Sequence, residues 1–87
     1  MEDHGLHGRP TQEEINEESR QGRRLRILVQ LALETIADGD LSIEEAAEVA
    51  AATRRAALKM FPGKDQAFDW VYRPKFQRLI HEVYRLQ

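Results

Sequence analysis

Apolar residues recur along this chain at helical spacing, in blocks divided by glycine, proline and paired acids. The first block predicts a helix from about Ser19 to Ala37. Leu25, Leu28, Val29, Ala32, Leu33 and Ile36 fall three and four positions apart and define one buried face. Ile27 and Leu31 carry apolar character well round the cylinder, so this helix is expected either at the centre of a bundle or at an interface. Asp38-Gly39-Asp40 ends it, with Gly39 suited to the left-handed backbone that closes a helix.

The second helix has the clearest start in the chain. Ser42 with Glu45 three residues later forms a capping box, and Leu41 is placed to pack on Ala46 as a hydrophobic staple. Glu44, Glu45 and Glu48 lie near the positive end of its dipole, and Arg54, Arg55 and Lys59 toward the negative end. Its expected core face is Ile43, Ala46, Ala47, Ala50, Ala57, Leu58 and Phe61, with alanines permitting close helix approach. Pro62-Gly63 stops it.

Asp65 is expected to cap a short third helix from Gln66 to about Tyr72, with Phe68, Val71 and Tyr72 facing inward. Pro74 disfavours helical geometry at Arg73, which predicts a break there, and it suits the first turn of a last helix reaching about Leu86. The stripe of that helix is Phe76, Leu79, Ile80, Val83 and Leu86. No segment alternates as a strand would. The expected fold is all-α, a small bundle of three to four helices: two long antiparallel ones, a short one and a C-terminal one.

Upstream, Met1–Pro10 has one leucine and no period and is expected to be a disordered tail. Thr11 with Glu14 makes a second capping box, but Ile15 is the lone apolar residue nearby and Gly22 costs about 1 kcal/mol within a helix. The division expected is a disordered or partly helical tail over 1–18 and one helical domain over 19–87.

Composition narrows the class. Eighty-seven residues allow one small domain, and 41% hydrophobic with 32% charged residues suits a foldable chain. The absence of cysteine excludes disulfides, thiolate metal sites and cysteine nucleophiles. No apolar run reaches a membrane-spanning length, and the first twenty residues lack the apolar core of a secretory signal. A cytoplasmic protein of bacterial type, without membrane association, is the expectation.

The net charge of −2 conceals blocks. Residues 1–19 are acidic, Arg20, Arg23, Arg24 and Arg26 form a basic run without acids, residues 34–53 carry acids without bases, and residues 54–87 are again basic. Such blocks either neutralise one another within the fold or meet a partner of opposite charge.

Candidate chemistry is sparse. With Gly39 at the sixth position of a calcium loop, Glu34, Asp38, Ser42 and Glu45 fall at positions one, five, nine and twelve, and Asp40 lies among them. Position three is Ile36, which cannot ligate a hard cation, and Glu34 to Ala37 belong to the first helix. A capped helix hairpin is the preferred reading of this segment, and weak divalent-metal binding by Glu34, Asp38, Asp40 and Glu45 the lesser one. The same residues, Ala37-Asp38-Gly39-Asp40-Leu41-Ser42-Ile43-Glu44-Glu45-Ala46, resemble the Ala-Asp-Gly turn and Ser/Thr-capped acidic helix start of TerB-like tellurite-resistance domains. That resemblance implies a helical bundle of a family associated with bacterial stress responses and acidic metal-binding surfaces.

His4 and His7 with Asp3 lie between glycines that would hold no ligand geometry. His81 and Glu82 are neighbours in a helix and point apart. Of the two serines, Ser42 is used as a cap, and Gly63-Lys64-Asp65 lacks the remaining elements of a phosphate loop. No catalytic residue and no cofactor is expected.

The C-terminal third interleaves bases with aromatics, and Arg73, Lys75, Arg78 and Arg85 are the candidates for nucleic-acid contact. The competing reading places Phe68, Trp70 and Phe76 in the core and sets the bases against the acids of 34–48. The expected function is a non-enzymatic protein–protein interaction module, with Ile27 and Leu31 meeting an unnamed protein partner or a second copy. Nucleic-acid association and weak metal binding are the alternatives.

Overall fold

A computed structural model describes the backbone of residues 12–85 and the side chains from Ser19 onward. The expected tail over Met1–Pro10, the Thr11 cap, the His4–His7 cluster and Leu86 lie outside the described residues. Four helices follow in order: α1 (Gln12–Ala37), α2 (Ile43–Met60), α3 (Asp65–Val71) and α4 (Arg73–Tyr84). The architecture is the small all-α bundle that the periodicity predicts.

α1 begins at Gln12 rather than Ser19, making a helix of 26 residues, about 39 Å long at 1.5 Å per residue. Once a turn exists each added residue gains a hydrogen bond, and the acids Glu13, Glu14, Glu17 and Glu18 suit a helix N-terminus. The helix therefore runs through Gly22 despite the cost of that residue.

α1 turns into α2 over residues 38–42. The Asp38 and Gly39 N–H groups donate to the carbonyls of Glu34 and Ile36, both at 3.1 Å. Gly39 adopts φ 75°, and a Cβ there would stand 3.7 Å from Val83 Cγ1 of α4. The capping box is fully formed: the Glu45 N–H donates to Ser42 Oγ at 3.1 Å, and the Ser42 N–H donates to Glu45 Oε1 at 2.9 Å. Ser42→Ala is expected to cost about 1 kcal/mol and lower the melting temperature by roughly 4–8 °C. Thermal circular dichroism of the variant checks this, and an unchanged melting temperature would contradict it.

The core is built from Val29, Ala32 and Ile36 of α1, Ala46 and Ala57 of α2, Phe68 of α3 and Phe76 of α4. Leu25, Leu33, Val49, Ala50, Leu58, Tyr72, Leu79, Ile80 and Tyr84 pack around it. On α2 the face is turned from the expected one. Ala47 is exposed and Thr53 is buried, its hydroxyl donating to the Val49 carbonyl at 2.7 Å. That internal bond satisfies the one polar group on the stripe, so a threonine sits among alanines without cost to the packing.

The α3–α4 corner departs most from expectation. Asp65 is the first residue of α3 rather than its cap, and Lys64 at the cap position makes no side-chain capping bond. Val71, expected inward, is 53% exposed. The break falls at Tyr72, one residue before Arg73. Tyr72 stays near helical geometry, its N–H donating to the Phe68 carbonyl at 2.8 Å and its carbonyl accepting from the Phe76 N–H at 3.1 Å. Pro74 lies in the first turn of α4, where its missing N–H would have no intrahelical acceptor in any case. At the far end, the Tyr84 hydroxyl donates to the Leu41 carbonyl at 2.6 Å and ties α4 to the α1–α2 turn.

Candidate docking surfaces

α1 presents two opposed faces. Leu25, Val29, Ala32, Leu33 and Ile36 enter or pack against the core, with Ile36 fully buried. At about 100° per residue, Ile27 and Leu31 point to the side opposite that seam. They are 55% and 56% exposed, and among the described residues no other helix covers them. Continuing along the same line at alternating three- and four-residue steps gives Arg20 and Arg24 before the apolar pair, and Glu34 and Asp38 after it. All four charged residues are exposed. The Glu34 carboxylate accepts from Gln30 Nε2 at 2.9 Å, and the Thr35 hydroxyl donates to the Leu31 carbonyl at 2.8 Å.

A second apolar surface lies on the α3–α4 corner. Ala67, Trp70, Val71 and Pro74 are all exposed at helical spacing, and Trp70 is 75% exposed. The expectation that Trp70 belongs to the core is therefore corrected. α3 spans only seven residues, and Phe68 alone fills its inward position. Asp69 must meet Arg54 on one side, which turns Trp70 outward. The signal was present in the sequence, since Trp70 follows Phe68 by two positions and cannot share its face.

Between α2, α3 and α4 lies a groove of about 490 Å³. Ala47, Ala50 and Ala51 line it on the α2 side, and Phe68, Phe76 and Ile80 on the other. The Arg54–Asp69 pair stands at its rim: Arg54 Nε donates to Asp69 Oδ1 at 2.8 Å and Nη2 to Oδ2 at 3.1 Å. Asp65 adds a looser contact to Arg54 at 3.9 Å. The bond from Arg54 holds the Asp69 carboxyl below its ordinary pKa, against the opposing effect of burial. A depressed native-state value means the pair stabilises fully above the ordinary carboxylate range near 3.9. That support fades as the pH falls through this range and the native value beneath it. Asp69→Asn is expected to melt lower at pH 7 and to lose less on going to pH 3. An acid-induced drop equal to that of the unaltered chain would contradict this.

No family model, curated protein or solved structure matches the chain. The surfaces therefore have to be read from their own geometry.

The remaining sequence candidates fall apart in space. Arg73 lines the α2–α3–α4 groove beside Arg54 and Asp69, whereas Lys75 and Arg78 line a shallow groove with Glu34 and Glu82. The Lys75 ammonium also stands 5.9 Å from the centre of the Tyr72 ring. Arg85 caps the end of α4 in the left-handed conformation at φ 52°. The four bases form no single face, and carboxylates stand among them. In the α1–α2 turn, Glu45 serves the capping box and Glu34 remains within α1. Among the described residues, no group of three or more acids and histidines is placed to hold a metal ion. Nor, among them, is any helix long and apolar enough to cross a membrane.

Proposed function

We propose that this chain is a non-enzymatic protein–protein interaction module of the cytoplasm, docking through the outer face of α1. One observation carries the reading: Ile27 and Leu31 stand open on the side of α1 that the bundle does not use. Each leaves more than half of a large aliphatic side chain in water, and at adjacent turns they form one contiguous patch. Burial against a partner recovers the free energy that the fold leaves unused. The exposed Trp70 corner supports the same class of function, since tryptophan is favoured where interfaces concentrate their binding energy.

The reading is tested by placing a photo-cross-linking amino acid at Leu31 in cells that make the protein, with Lys59 of α2 as the control position. The expected result is a defined protein adduct from Leu31 that is absent from Lys59 and lost when Ile27→Gln is added. Equal labelling from both positions, or none from Leu31, would overturn it.

A further inference from the structure

Building on that reading of α1 as a docking face, we propose that its occupant is the α1 helix of a second copy, packed antiparallel about a two-fold axis. The outer line of α1 is Arg20, Arg24, Ile27, Leu31, Glu34, Asp38. These steps of four, three, four, three and four residues follow the spacing of a helix–helix seam. All six lie within about 40° of the direction opposite Val29, at 100° per residue. The charge order along this line is basic, apolar, acidic.

An axis passing at the level of Val29 brings positions equally far before and after it face to face. Ile27 then meets Leu31 of the second copy, Arg24 meets its Glu34, and Arg20 meets its Asp38. Each pairing occurs twice. A parallel arrangement would set Arg24 on Arg24 and Glu34 on Glu34, so the charge order selects one orientation and one register. The apolar centre supplies the attraction, and the charged ends reject the alternatives.

The size of the contact sets its strength. From Arg20 to Asp38 the line extends about 27 Å, and a helix surface about 10 Å across over that length covers roughly 270 Å² on each copy, on the order of 500 Å² in total. That lies below the size of stable specific interfaces and describes a weak, rapidly reversible pair whose orientation is set by the charge order. All six residues used are exposed, so pairing leaves the helices in place and re-aims side chains: Glu34, which accepts from Gln30 and lines the shallow groove beside Lys75 and Arg78, turns to Arg24 of the second copy.

Sedimentation equilibrium of the full chain and its charge variants tests the arrangement. The intact protein is expected to populate a species of twice the chain's 10.1 kDa as its concentration rises from the micromolar toward the millimolar range. Arg24→Glu and Glu34→Arg should each weaken pairing at least about tenfold, since each places like charges together twice. Mixing the two variants in equal amounts should restore pairing, because every facing position is then oppositely charged. Circular dichroism confirms that each variant remains folded, and the mixture guards against loss through misfolding. Pairing that the mixture fails to restore would overturn the antiparallel register. A chain that stays single at every concentration while Leu31 cross-links to a different protein would overturn self-pairing and leave the docking face standing. A single chain with no adduct from Leu31 would overturn both.

Discussion

Replacing Ile36 with alanine should cost about 3–4 kcal/mol, the usual toll for emptying a fully enclosed aliphatic site. Ile36 has no accessible surface and belongs to the last turn of α1, where the core cluster joins residues from all four helices. A chain of 87 residues is stable by roughly 4–13 kcal/mol at 0.05–0.15 kcal/mol per residue, so the variant should lose between about a quarter and all of that margin. The melting temperature should fall by at least about 12 °C. Leu31→Ala, on the opposite side of the same helix, should shift stability by less than about 0.5 kcal/mol. Urea denaturation followed by circular dichroism measures both. Equal losses at the two positions would mean that α1 does not have one sealed and one open face.

The reciprocal result is expected for association. Ile27→Gln together with Leu31→Gln removes the apolar centre while keeping charge and helix propensity nearly constant. Fully burying such a side chain contributes about 1.5–3 kcal/mol, and about half of each remains exposed for a partner to cover. Losing two of them should therefore weaken docking by about 1.5–3 kcal/mol, or roughly 10–150-fold. A self-paired complex would lose this contribution from both chains. The melting temperature of the isolated protomer should hardly move, because neither side chain belongs to the core or packs against it. Titration calorimetry or sedimentation checks the affinity. A variant that associates as tightly as the unaltered chain would remove Ile27 and Leu31 from the interface.

These contrasts also show which parts of the molecule were legible in the sequence. The α1 seam was readable because Val29, Ala32 and Ile36 follow a strict helical period over a long element. Ser42 and Glu45 were readable because a capping box is local chemistry, complete within four residues. The surplus of Ile27 and Leu31 was readable as well, since a single helix cannot turn more than one broad stripe toward one core.

The rotation of α2 was not readable. Its alanines surround much of the helix, so apolar pattern alone could not distinguish Ala47 from Ala46, and Thr53 conceals its polarity in a bond to its own backbone. The α3–α4 corner was harder still. Spacing excludes Phe68 and Trp70 from one face, but seven residues provide fewer than two full turns, too few for periodicity to say which of the two turns inward. Its orientation depends on Arg54 reaching Asp69, a contact fifteen positions apart. The bond from Tyr84 to Leu41 spans 43 positions and carries no local signature.

The central claim is that α1 seals the core with one face and leaves the other for a partner. Methyl NMR of the dilute, single-chain protein with a water-soluble paramagnetic agent tests it most directly. The methyl signals of Ile27 and Leu31 should broaden strongly while those of Ile36 remain sharp. If Ile27 and Leu31 are as shielded as Ile36 in the lone protomer, the open face does not exist and the docking account fails.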